Sequence, residues 1–525
     1  MNRSTLTRGA IAAAVAAALA TTGTVMVQAE ENSDSELSKT IDTILKDESL
    51  SGSQVGVVVA DANSGETIYN HNGAMRTIPA SNNKIETSVA ALEVLGGDHT
   101  FTTDVAAESK PSDGTISGDL YLRGTGDPTM MKKDYDALAK SLAKKGVTSV
   151  DGNLVADDTA FGSQRLGTEW GWDDLPYYYA AEVTALTVAP NTDYDAGSVK
   201  VSVTPGANNG DKAKVEVTPP NDYVKISNTA TTSGSDEDPA VSFSRDNGSN
   251  TIEVSGTVPA GSEGDMSLMT VSNPTGLAAD VFAEALADNG IEVSGDVTLG
   301  QATPDGAASL AKHNSMPVSD IMTPFMKLSN NPHAEALTKA MGLKASGEGT
   351  FDAGVNAIQE QMANFGVETD QVRQVDGSGM SRQNAISPKN LASLLVEARD
   401  AGWFKTWYQS MPIACKEDPM VGGTLASRMC DTPAAGNVHA KTGSMTGVSA
   451  MSGYVKDKDG RDLVFSIVTN DFVADSVKEI EDKIAVAIAS TGESNAVSPE
   501  QLDVPQPKNE APADLECSWV KPIAC

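Results

Sequence analysis

The chain has 525 residues and a net charge of −33, from 38 Lys and Arg against 71 Asp and Glu. This length exceeds what one hydrophobic core usually supports, so two or three domains are expected. We expect no nucleic-acid partner, because phosphate recognition requires clustered basic residues. The excess of acid suits a soluble protein outside the cytoplasm, and attraction of cationic substrates is the alternative explanation.

The N-terminus has the pattern of an export signal over residues 1–29. Arg3 and Arg8 precede an alanine-rich apolar run, and Val27-Gln28-Ala29 is a small-residue cleavage site that places the mature start near Glu30. A signal that remains uncleaved as an anchor is the alternative. No later segment approaches the ~20 apolar residues that a membrane-spanning helix requires. We therefore expect no membrane span in the mature chain and an exported, extracytoplasmic protein, either secreted or associated with the cell wall.

The first 300 residues predict mixed elements followed by a strand-rich stretch. Residues 37–45 predict a helix, 54–70 a β-hairpin, and 81–95 a second helix with apolar residues on one face. From about residue 99 the pattern becomes richer in strands. The stretch 198–271 alternates between apolar and polar residues and is broken by polar turns, which predicts a small all-β insertion.

The C-terminal part returns to helical patterns from about residue 309. Helices are predicted over 332–341, 350–365, 387–401 and 475–489, and strands over 438–441, 448–455 and 463–469. The Pro-rich stretch 491–525 predicts a disordered or loosely docked tail. The predicted division is one domain from 38–98 and 305–490, an inserted accessory domain from 99–191 and 272–304, and a β-rich domain at 192–271 nested in the insertion.

Four cysteines lie late in the chain and predict disulfide bonds. An even count in an exported protein favours pairing. Cys415 with Cys430 and Cys517 with Cys525 is the simplest of three possible connectivities, which the sequence leaves open. The spacings contain no CxxC pair and His439 is the only histidine nearby, so we expect no metal site and no cofactor.

Ser81 and Lys84 have the spacing of a serine nucleophile and its base. Positions i and i+3 of a helix share a face, so the two side chains can touch. Lys84 can activate the hydroxyl only when it is neutral, so its pKa must fall from about 10.4 to near 7, a change of about 4 kcal/mol. Burial and a second cation, for which Lys441 is the candidate, would lower it. The helix start favours negative charge developing at Ser81.

Two further strings follow Ser81-Asn82-Asn83-Lys84, namely Ser329-Asn330-Asn331 and Lys441-Thr442-Gly443. The patterns SxxK and SxN recur in this sequence, so neither is specific alone. KTG occurs once, in a strand-like segment where Gly443 would let a ligand approach the backbone. The ordered set is typical of class A β-lactamases and penicillin-binding proteins. A Ser-His-Asp hydrolase is the competing chemistry, but no G-x-S-x-G string is present, and His439 is better explained as a structural histidine.

The flanks of these strings resemble those of class C low-molecular-mass penicillin-binding proteins, the D-alanyl-D-alanine carboxypeptidase/endopeptidase family. Matching stretches include Asp376-Gly377-Ser378-Gly379-Met380, Gly423-Thr424-Leu425 and Gly126-Asp127-Pro128, and the resemblance covers about residues 38–489. Serine β-lactamases lack so large an insertion between the first two strings. The resemblance implies an α+β fold: a penicillin-binding/β-lactamase-like transpeptidase domain, with an antiparallel sheet flanked by helices and inserted β-rich accessory domains.

The resemblance also implies a catalytic role for five residues. Ser81 would attack the D-Ala-D-Ala carbonyl, and Lys84 would take its proton. Ser329 would relay a proton to the leaving D-alanine, and Asn331 would hold both the substrate amide and Lys84. Lys441 would supply positive potential.

Substrate binding is implied for the residues that follow Lys441. Thr442 and Ser444 would bind the terminal carboxylate, and the backbone N–H groups of Ser81 and Ser444 would form the oxyanion hole. Ser444 stands where the family often has threonine, which preserves the hydroxyl. His333 occupies a position beside the second string that is usually apolar.

A side pocket is implied by resemblance to actinomycete-type members of the family. Trp170, Asp173 and Tyr178 would receive the amine end of a stem-peptide side chain, with Arg382 and Met445 nearby. A carboxylate among aromatic rings suits an ammonium group. The alternative is a set of buried core aromatics with a solvated Asp173.

The leading expectation is a serine carboxypeptidase/endopeptidase that acts on peptidoglycan stem peptides and is acylated by β-lactams. The alternatives are a β-lactamase of the same catalytic type and a non-catalytic wall-binding protein, whose expected mark would be loss of Ser81, Lys84 or Lys441. All three are present. The choice between carboxypeptidase and endopeptidase, the third residue of the stem peptide and the oligomeric state stay open.

Overall fold

The structure, a computed structural model, describes residues 23–492, Leu502 and Val504. Most of the predicted signal peptide and of the predicted tail lies outside these residues, as do Cys517 and Cys525. Among the helices within the described range, none is both long and apolar enough to cross a membrane.

The described residues form α-helices and strands that are numbered here in chain order. The helices are α1 (Gly23–Ile44), α2 (Asn83–Val94), α3 (Lys132–Lys144), α4 (Pro274–Asp288), α5 (Val318–Lys327), α6 (Asn331–Ser346), α7 (Phe351–Asn364), α8 (Pro388–Ala398), α9 (Phe404–Ser410), α10 (Pro419–Gly422) and α11 (Lys478–Ser490). The strands are β1 (Gln54–Asp61), β2 (Thr67–His71), β3 (Thr102–Ala107), β4 (Thr115–Ile116), β5 (Leu120–Gly124), β6 (Ser149–Val150), β7 (Leu154–Asp157), β8 (Ser198–Thr204), β9 (Lys214–Thr218), β10 (Lys225–Asn228), β11 (Thr231–Ser233), β12 (Ala240–Arg245), β13 (Thr251–Pro259), β14 (Asp265–Thr270), β15 (Glu292–Val293), β16 (Val297–Leu299), β17 (Ala308–Asn314), β18 (His439–Met445), β19 (Val448–Lys456) and β20 (Asp462–Asn470).

Five antiparallel strands form the central sheet, in the order β18-β19-β20-β1-β2. The predicted hairpin supplies β1 and β2, and the three predicted strands near the C-terminus supply the rest. β1 lies inside the sheet and is buried on both faces, which explains its nearly continuous apolar run. The two distant parts of the chain therefore build one sheet.

Helices cover both faces of this sheet. Val57 and Val59 face one core, which α1 and α11 complete, whereas Val58 and Ala60 face another, which includes residues of α2, α5, α6 and α8. Successive residues of a strand point to opposite faces, so one strand serves both cores. The expected α+β class, with an antiparallel sheet between helices, is confirmed.

The segment between α2 and α5 forms its own sheets around its own hydrophobic core. One five-stranded sheet has the order β16-β7-β5-β3-β17, and three smaller sheets use β4, β6 and β8 to β15. Seven strands, β8 to β14, lie where the sequence predicts an all-β insertion. The core of the segment is distinct from the two cores beside the central sheet. The numerical domain boundaries stay predictions.

Cys415 and Cys430 form a disulfide bond, which confirms the local pairing expected for this half of the cysteine set. The bond lies in the connection between α9 and β18.

Candidate active site

The Ser81–Lys84 pair is built at the start of α2. Ser81 lies in a 3₁₀ turn, Ala80–Asn82, that leads directly into the helix, and Lys84 is in the helix's first turn. Lys84 Nζ is hydrogen-bonded to Ser81 Oγ at 2.5 Å. Lys84 is fully buried, and Ser81 is 7% exposed. The predicted side-chain contact is formed, and burial is one of the two influences proposed to keep the lysine neutral.

Two glycines make room for the turn that carries Ser81. Ala80 has φ of 45°, a strained conformation for a residue with a Cβ. A Cβ on Gly379 would lie 1.9 Å from the Ala80 carbonyl oxygen, and one on Gly443 would lie 2.7 Å from that of Pro79. The Ser81 turn therefore leaves no room for a side chain on Gly443. Close approach of a ligand to Gly443 stays a prediction.

Lys441 connects the second and third strings. It lies on β18 and is fully buried. Its Nζ donates hydrogen bonds to Ser329 Oγ at 2.8 Å and to the Thr442 carbonyl oxygen at 2.7 Å. The Thr442 hydroxyl is bonded to that of Thr424 at 2.7 Å, within one of the matching flanks. The cation expected beside the site is thus held against the serine of the second string.

All three strings meet at one pocket. Ser81 of the first string, Ser329 and Asn331 of the second, and Ser444, which directly follows the third, line this pocket. Ser444 follows Gly443 on β18, on the strand edge beside the Ser81 turn. The pair Ser81 and Lys84, the pair Ser329 and Lys441, and the hydroxyl of Ser444 are thus grouped around one pocket. The catalytic roles of these residues stay predictions.

The side pocket differs from the prediction at two residues. Tyr178, Arg382 and Met445 line the same space as Ser81, but the carboxylates there are those of Asp174 and Asp195. Asp173 is exposed, because the 3₁₀ turn Trp172–Asp174 turns the next residue inward. One of the carboxylates that face this space thus lies one residue further along the chain than predicted, and a role of Asp173 in ligand binding stays a prediction.

Trp170 is the second difference. Its indole N–H donates to Asp376 Oδ2 at 3.1 Å, and its ring packs edge-on against Phe351. It is therefore a half-buried support behind the pocket, in agreement with the alternative of core aromatics, and it is not among the lining residues.

The environment of Asp174 combines opposing influences. The Tyr179 hydroxyl donates to Asp174 Oδ1 at 3.1 Å. Burial raises the pKa of Asp174, and the Tyr179 hydroxyl and the positive charge of Arg382 oppose that rise. Arg382 in turn donates to the Thr446 carbonyl oxygen, which ties it to the turn after β18. The pocket therefore holds two carboxylates, those of Asp174 and Asp195, and one guanidinium, which suits a ligand with both ammonium and carboxylate groups.

The asparagines of the second string hold the inserted segment against the site. Asn331 Nδ2 donates to the Tyr179 carbonyl oxygen at 2.9 Å, and Asn330 Nδ2 donates to that of Tyr194 at 3.1 Å. Asn331 Oδ1 is buried and has no hydrogen-bond partner among the described residues. The expected bond from Lys84 to this oxygen is thus not formed. The oxygen stays available to a substrate N–H group.

The histidines near the motifs are structural. His439 stacks on Tyr408 with ring centres 4.2 Å apart, and burial lowers its pKa to about 4. His333 is fully buried with Nε2 3.1 Å from the Tyr194 carbonyl oxygen, and burial lowers its pKa to about 4 as well. Both rings are neutral at pH 7, so neither supplies charge to the pocket.

Two acidic residues in the matching flanks have contacts that the sequence did not reveal. Asp376 is fully buried and accepts hydrogen bonds from the backbone N–H groups of Gly379 and Ser381 and from Asn384 Nδ2. Glu335 is also fully buried, one turn into α6. The sequence signal that could have indicated these contacts is an acidic residue that stands among small or apolar residues beside a motif. Over the described residues no group of three or more His, Cys, Asp or Glu could hold a metal ion.

Comparison with known proteins decides the family. The model for the D-Ala-D-Ala carboxypeptidase 3 (S13) family matches residues 37–491. The chain belongs to this family. The expected resemblance and the expected enzyme class, a D-alanyl-D-alanine carboxypeptidase, are confirmed.

Individual relatives agree with that assignment. The chain is 44% identical over 488 residues to the D-alanyl-D-alanine carboxypeptidase of Actinomadura sp. (strain R39), covering 93% of this chain and 90% of the relative. It is 28% identical to the D-alanyl-D-alanine carboxypeptidase DacB of Haemophilus influenzae, covering 82% and 88%. The crystal structure of penicillin binding protein 4 (dacB) from Haemophilus influenzae superposes with a TM-score of 0.73 at 26% identity, covering 88% of this chain and 97% of that one.

Proposed function

We propose that this carboxypeptidase cleaves the D-alanyl-D-alanine bond of peptidoglycan stem peptides through an acyl-enzyme on Ser81. The supporting observation is the 2.5 Å hydrogen bond between Lys84 Nζ and Ser81 Oγ at the floor of a pocket that Ser329 also lines. The family assignment and the names of the relatives support the same substrate class.

Acylation begins with proton transfer from Ser81 Oγ to neutral Lys84. The oxygen then attacks the carbonyl carbon of the penultimate D-alanine, and the resulting oxyanion is stabilised by the backbone N–H groups of Ser81 and Ser444. Ser329 relays a proton to the nitrogen of the terminal residue, the C–N bond breaks, and D-alanine leaves. Lys441, bonded to Ser329 at 2.8 Å, orients that hydroxyl and supplies positive potential.

Substrate binding uses groups at both ends of the pocket. The hydroxyls of Thr442 and Ser444 bind the terminal carboxylate, and Asn331 Oδ1, which lacks a partner, accepts an N–H of the peptide. Tyr178, Asp174 and Arg382 receive a polar side chain from the third residue of the stem peptide. A water molecule then attacks the acyl carbonyl carbon, which breaks the ester and restores Ser81.

The same nucleophile opens β-lactams, because their strained amide lies where the scissile peptide bond would. The expected partners are therefore stem peptides and β-lactam antibiotics. Assembled peptidoglycan lies outside the cytoplasm, which agrees with the predicted export signal.

The test is intact-mass measurement after incubation with benzylpenicillin, together with D-alanine release from stem peptides. The wild-type protein should gain the mass of one benzylpenicillin and release D-alanine, and Ser81→Ala should do neither. Ser141→Ala is the matched control, because Ser141 also begins an SxxK string but lies in α3, outside the pocket.

Three outcomes would contradict the proposal. Folded wild-type protein without an adduct or released D-alanine would exclude the enzyme, and loss of the adduct in Ser141→Ala would place the nucleophile elsewhere. Rapid hydrolysis of benzylpenicillin without a long-lived adduct would favour the β-lactamase alternative.

A further inference from the structure

The backbone segment 376–378 lies between α2 and α6 and is held by α2 through three consecutive carbonyl oxygens. That of Asp376 accepts from Asn83 Nδ2 at 2.9 Å, and that of Gly377 accepts from the Thr87 hydroxyl at 2.7 Å. That of Ser378 accepts from Lys84 Nζ at 2.8 Å. Lys84 therefore contacts both Ser81 and the Ser378 carbonyl.

Glu335 holds the same segment through its amide groups. Its Oε2 accepts from the Gly377 N–H at 2.9 Å, and its Oε1 accepts from the Ser378 N–H at 2.8 Å. Both carboxylate oxygens are thus bonded to two successive peptides, which fixes the direction in which the Ser378 carbonyl points. Glu335 is fully buried and lies one turn after Asn331 on α6. A chain of contacts thus leads from α6 through Ser378 to the base on α2.

Close packing prevents the segment from finding another position. A Cβ on Gly377 would lie 2.0 Å from Thr338 Oγ1 of α6, so the peptide passes through a gap without room for a side chain. Loss of the Glu335 contacts would leave two buried N–H groups without acceptors, and the segment would have to shift to satisfy them.

The orientation of the Ser378 carbonyl matters because of the chemistry of a lysine base. A neutral amine has two N–H groups and one lone pair. When one N–H donates to the Ser378 carbonyl, rotation about the terminal bond of Lys84 is restricted, and the lone pair can be directed at the Ser81 hydroxyl. The negative charge of Glu335 favours the protonated form of Lys84, so it also influences the pH at which the base becomes available.

We propose that Glu335 is a positioning residue for the Lys84 base, acting through the peptide of Gly377 and Ser378. Glu335 does not touch Ser81 or line the pocket. This inference rests on the proposed function, because it gives Lys84 the role of the base. It adds a residue outside the three strings to the machinery that prepares Ser81 for attack.

Glu335 interacts electrostatically with two other charged residues, Asp376 and Lys339. Burial raises the pKa of Glu335 to about 7, and the negative charge of Asp376 contributes to the rise, whereas the hydrogen bonds from residues 377 and 378 oppose it. Lys339, one turn further along α6, is attracted by the charge of Glu335. A pH profile therefore reports on this group as well as on Lys84, and a variant that removes the carboxylate separates the two.

The experiment compares Glu335→Gln with the wild type. The rate constant for acylation by a fluorescent penicillin is measured from pH 5 to 10 and expressed per active site, with active sites counted by the endpoint adduct mass. Glu335→Gln should acylate about 10- to 100-fold more slowly per site. The reason is that the NH₂ group of the glutamine would replace a carboxylate oxygen and face a backbone N–H group that needs an acceptor. Its acid limb should move to lower pH by about one pH unit, because the anion that favours protonated Lys84 is gone.

Leu337→Ala is the matched control for lost stability. Leu337 is buried on the same helix, and its side chain makes no hydrogen bonds. This variant should have a lower Tm but the wild-type rate per site and pH profile. If Glu335→Gln behaves in the same way, Glu335 is structural only and the proposal is wrong.

Glu335→Asp is the second variant, for the case in which Glu335→Gln does not fold. It keeps the negative charge but is one methylene shorter. Its acylation rate should therefore lie between those of the wild type and Glu335→Gln, and the acid limb of its pH profile should stay at the wild-type pH because the charge is kept. A wild-type rate and profile in Glu335→Asp together with no recoverable Glu335→Gln would also refute the proposal. An absent adduct on the wild-type protein would instead refute the proposed function.

Discussion

Replacement of Glu86 by glutamine should stabilise the protein at neutral and alkaline pH. Glu86 lies on α2, five residues after Ser81, and is fully buried. Neither of its carboxyl oxygens has a hydrogen-bond partner among the described residues. Burial therefore raises its pKa from 4.5 to about 8.

The magnitude follows from proton linkage. Below pH 4.5 the carboxyl is protonated in both the folded and the unfolded protein, so it carries no penalty. Between pH 4.5 and about 8 the folded protein keeps a proton that the unfolded chain has lost. The free energy of unfolding falls over this window by about 1.4 kcal/mol per pH unit, or roughly 5 kcal/mol in total. Above pH 8 the loss is complete.

The assay is urea unfolding of the wild type and Glu86→Gln at several pH values from 4 to 9. Tryptophan fluorescence is a suitable signal, because Trp407 Nε1 donates to Ser88 Oγ on the same helix at 2.7 Å. The stability advantage of Glu86→Gln over the wild type should grow with pH and level off near pH 8. Penicillin acylation verifies that the folded site is intact in both proteins.

Val89→Ala is the matched control, because Val89 is buried on the same helix and does not titrate. Its stability difference from the wild type should be constant across pH. A difference between Glu86→Gln and the wild type that is equally constant would refute the reasoning, since the carboxyl would then not be kept protonated by burial.

Two further predictions concern the pocket. Asp174→Asn should raise the KM for D-alanine release about 10-fold or more when the third stem residue ends in an amine, because a charge-assisted contact is lost; Asp173→Asn is the control, and an equal effect of both variants would contradict the assignment of Asp174. Gly443→Ala should lower the rate of penicillin acylation roughly 100-fold, because its Cβ would lie 2.7 Å from the Pro79 carbonyl oxygen and displace the Ser81 turn. Gly402→Ala is the control and should acylate at the wild-type rate, because a Cβ there meets no atom within 4 Å. An unchanged rate in Gly443→Ala would contradict the prediction, because the Ser81 turn would then accommodate the added Cβ without loss of activity.

Local features of this protein could be predicted from the sequence because short-range geometry decides them. The contact of Ser81 with Lys84 follows from helix periodicity, and the Cys415–Cys430 bond joins residues only 15 apart. The hairpin of β1 and β2 follows from two apolar runs around a turn. Helices α5, α9 and α10 had no sequence prediction, and Pro324 lies inside α5.

Only the tertiary structure decided which groups surround the nucleophile. Ser329 and Lys441 are 112 residues apart and meet because α6 and β18 pack around the same pocket. Which of Asp173 and Asp174 faces the pocket depends on the side of a short turn, and the lack of room for a side chain on Gly443 comes from the backbone of Pro79. The contact of Glu335 with the peptide of Gly377 and Ser378 could not be predicted from helix or strand periodicity, because these residues belong to different segments of the chain. Periodicity determines contacts within an element, whereas contacts between elements depend on how their faces pack, which the order of residues alone does not reveal.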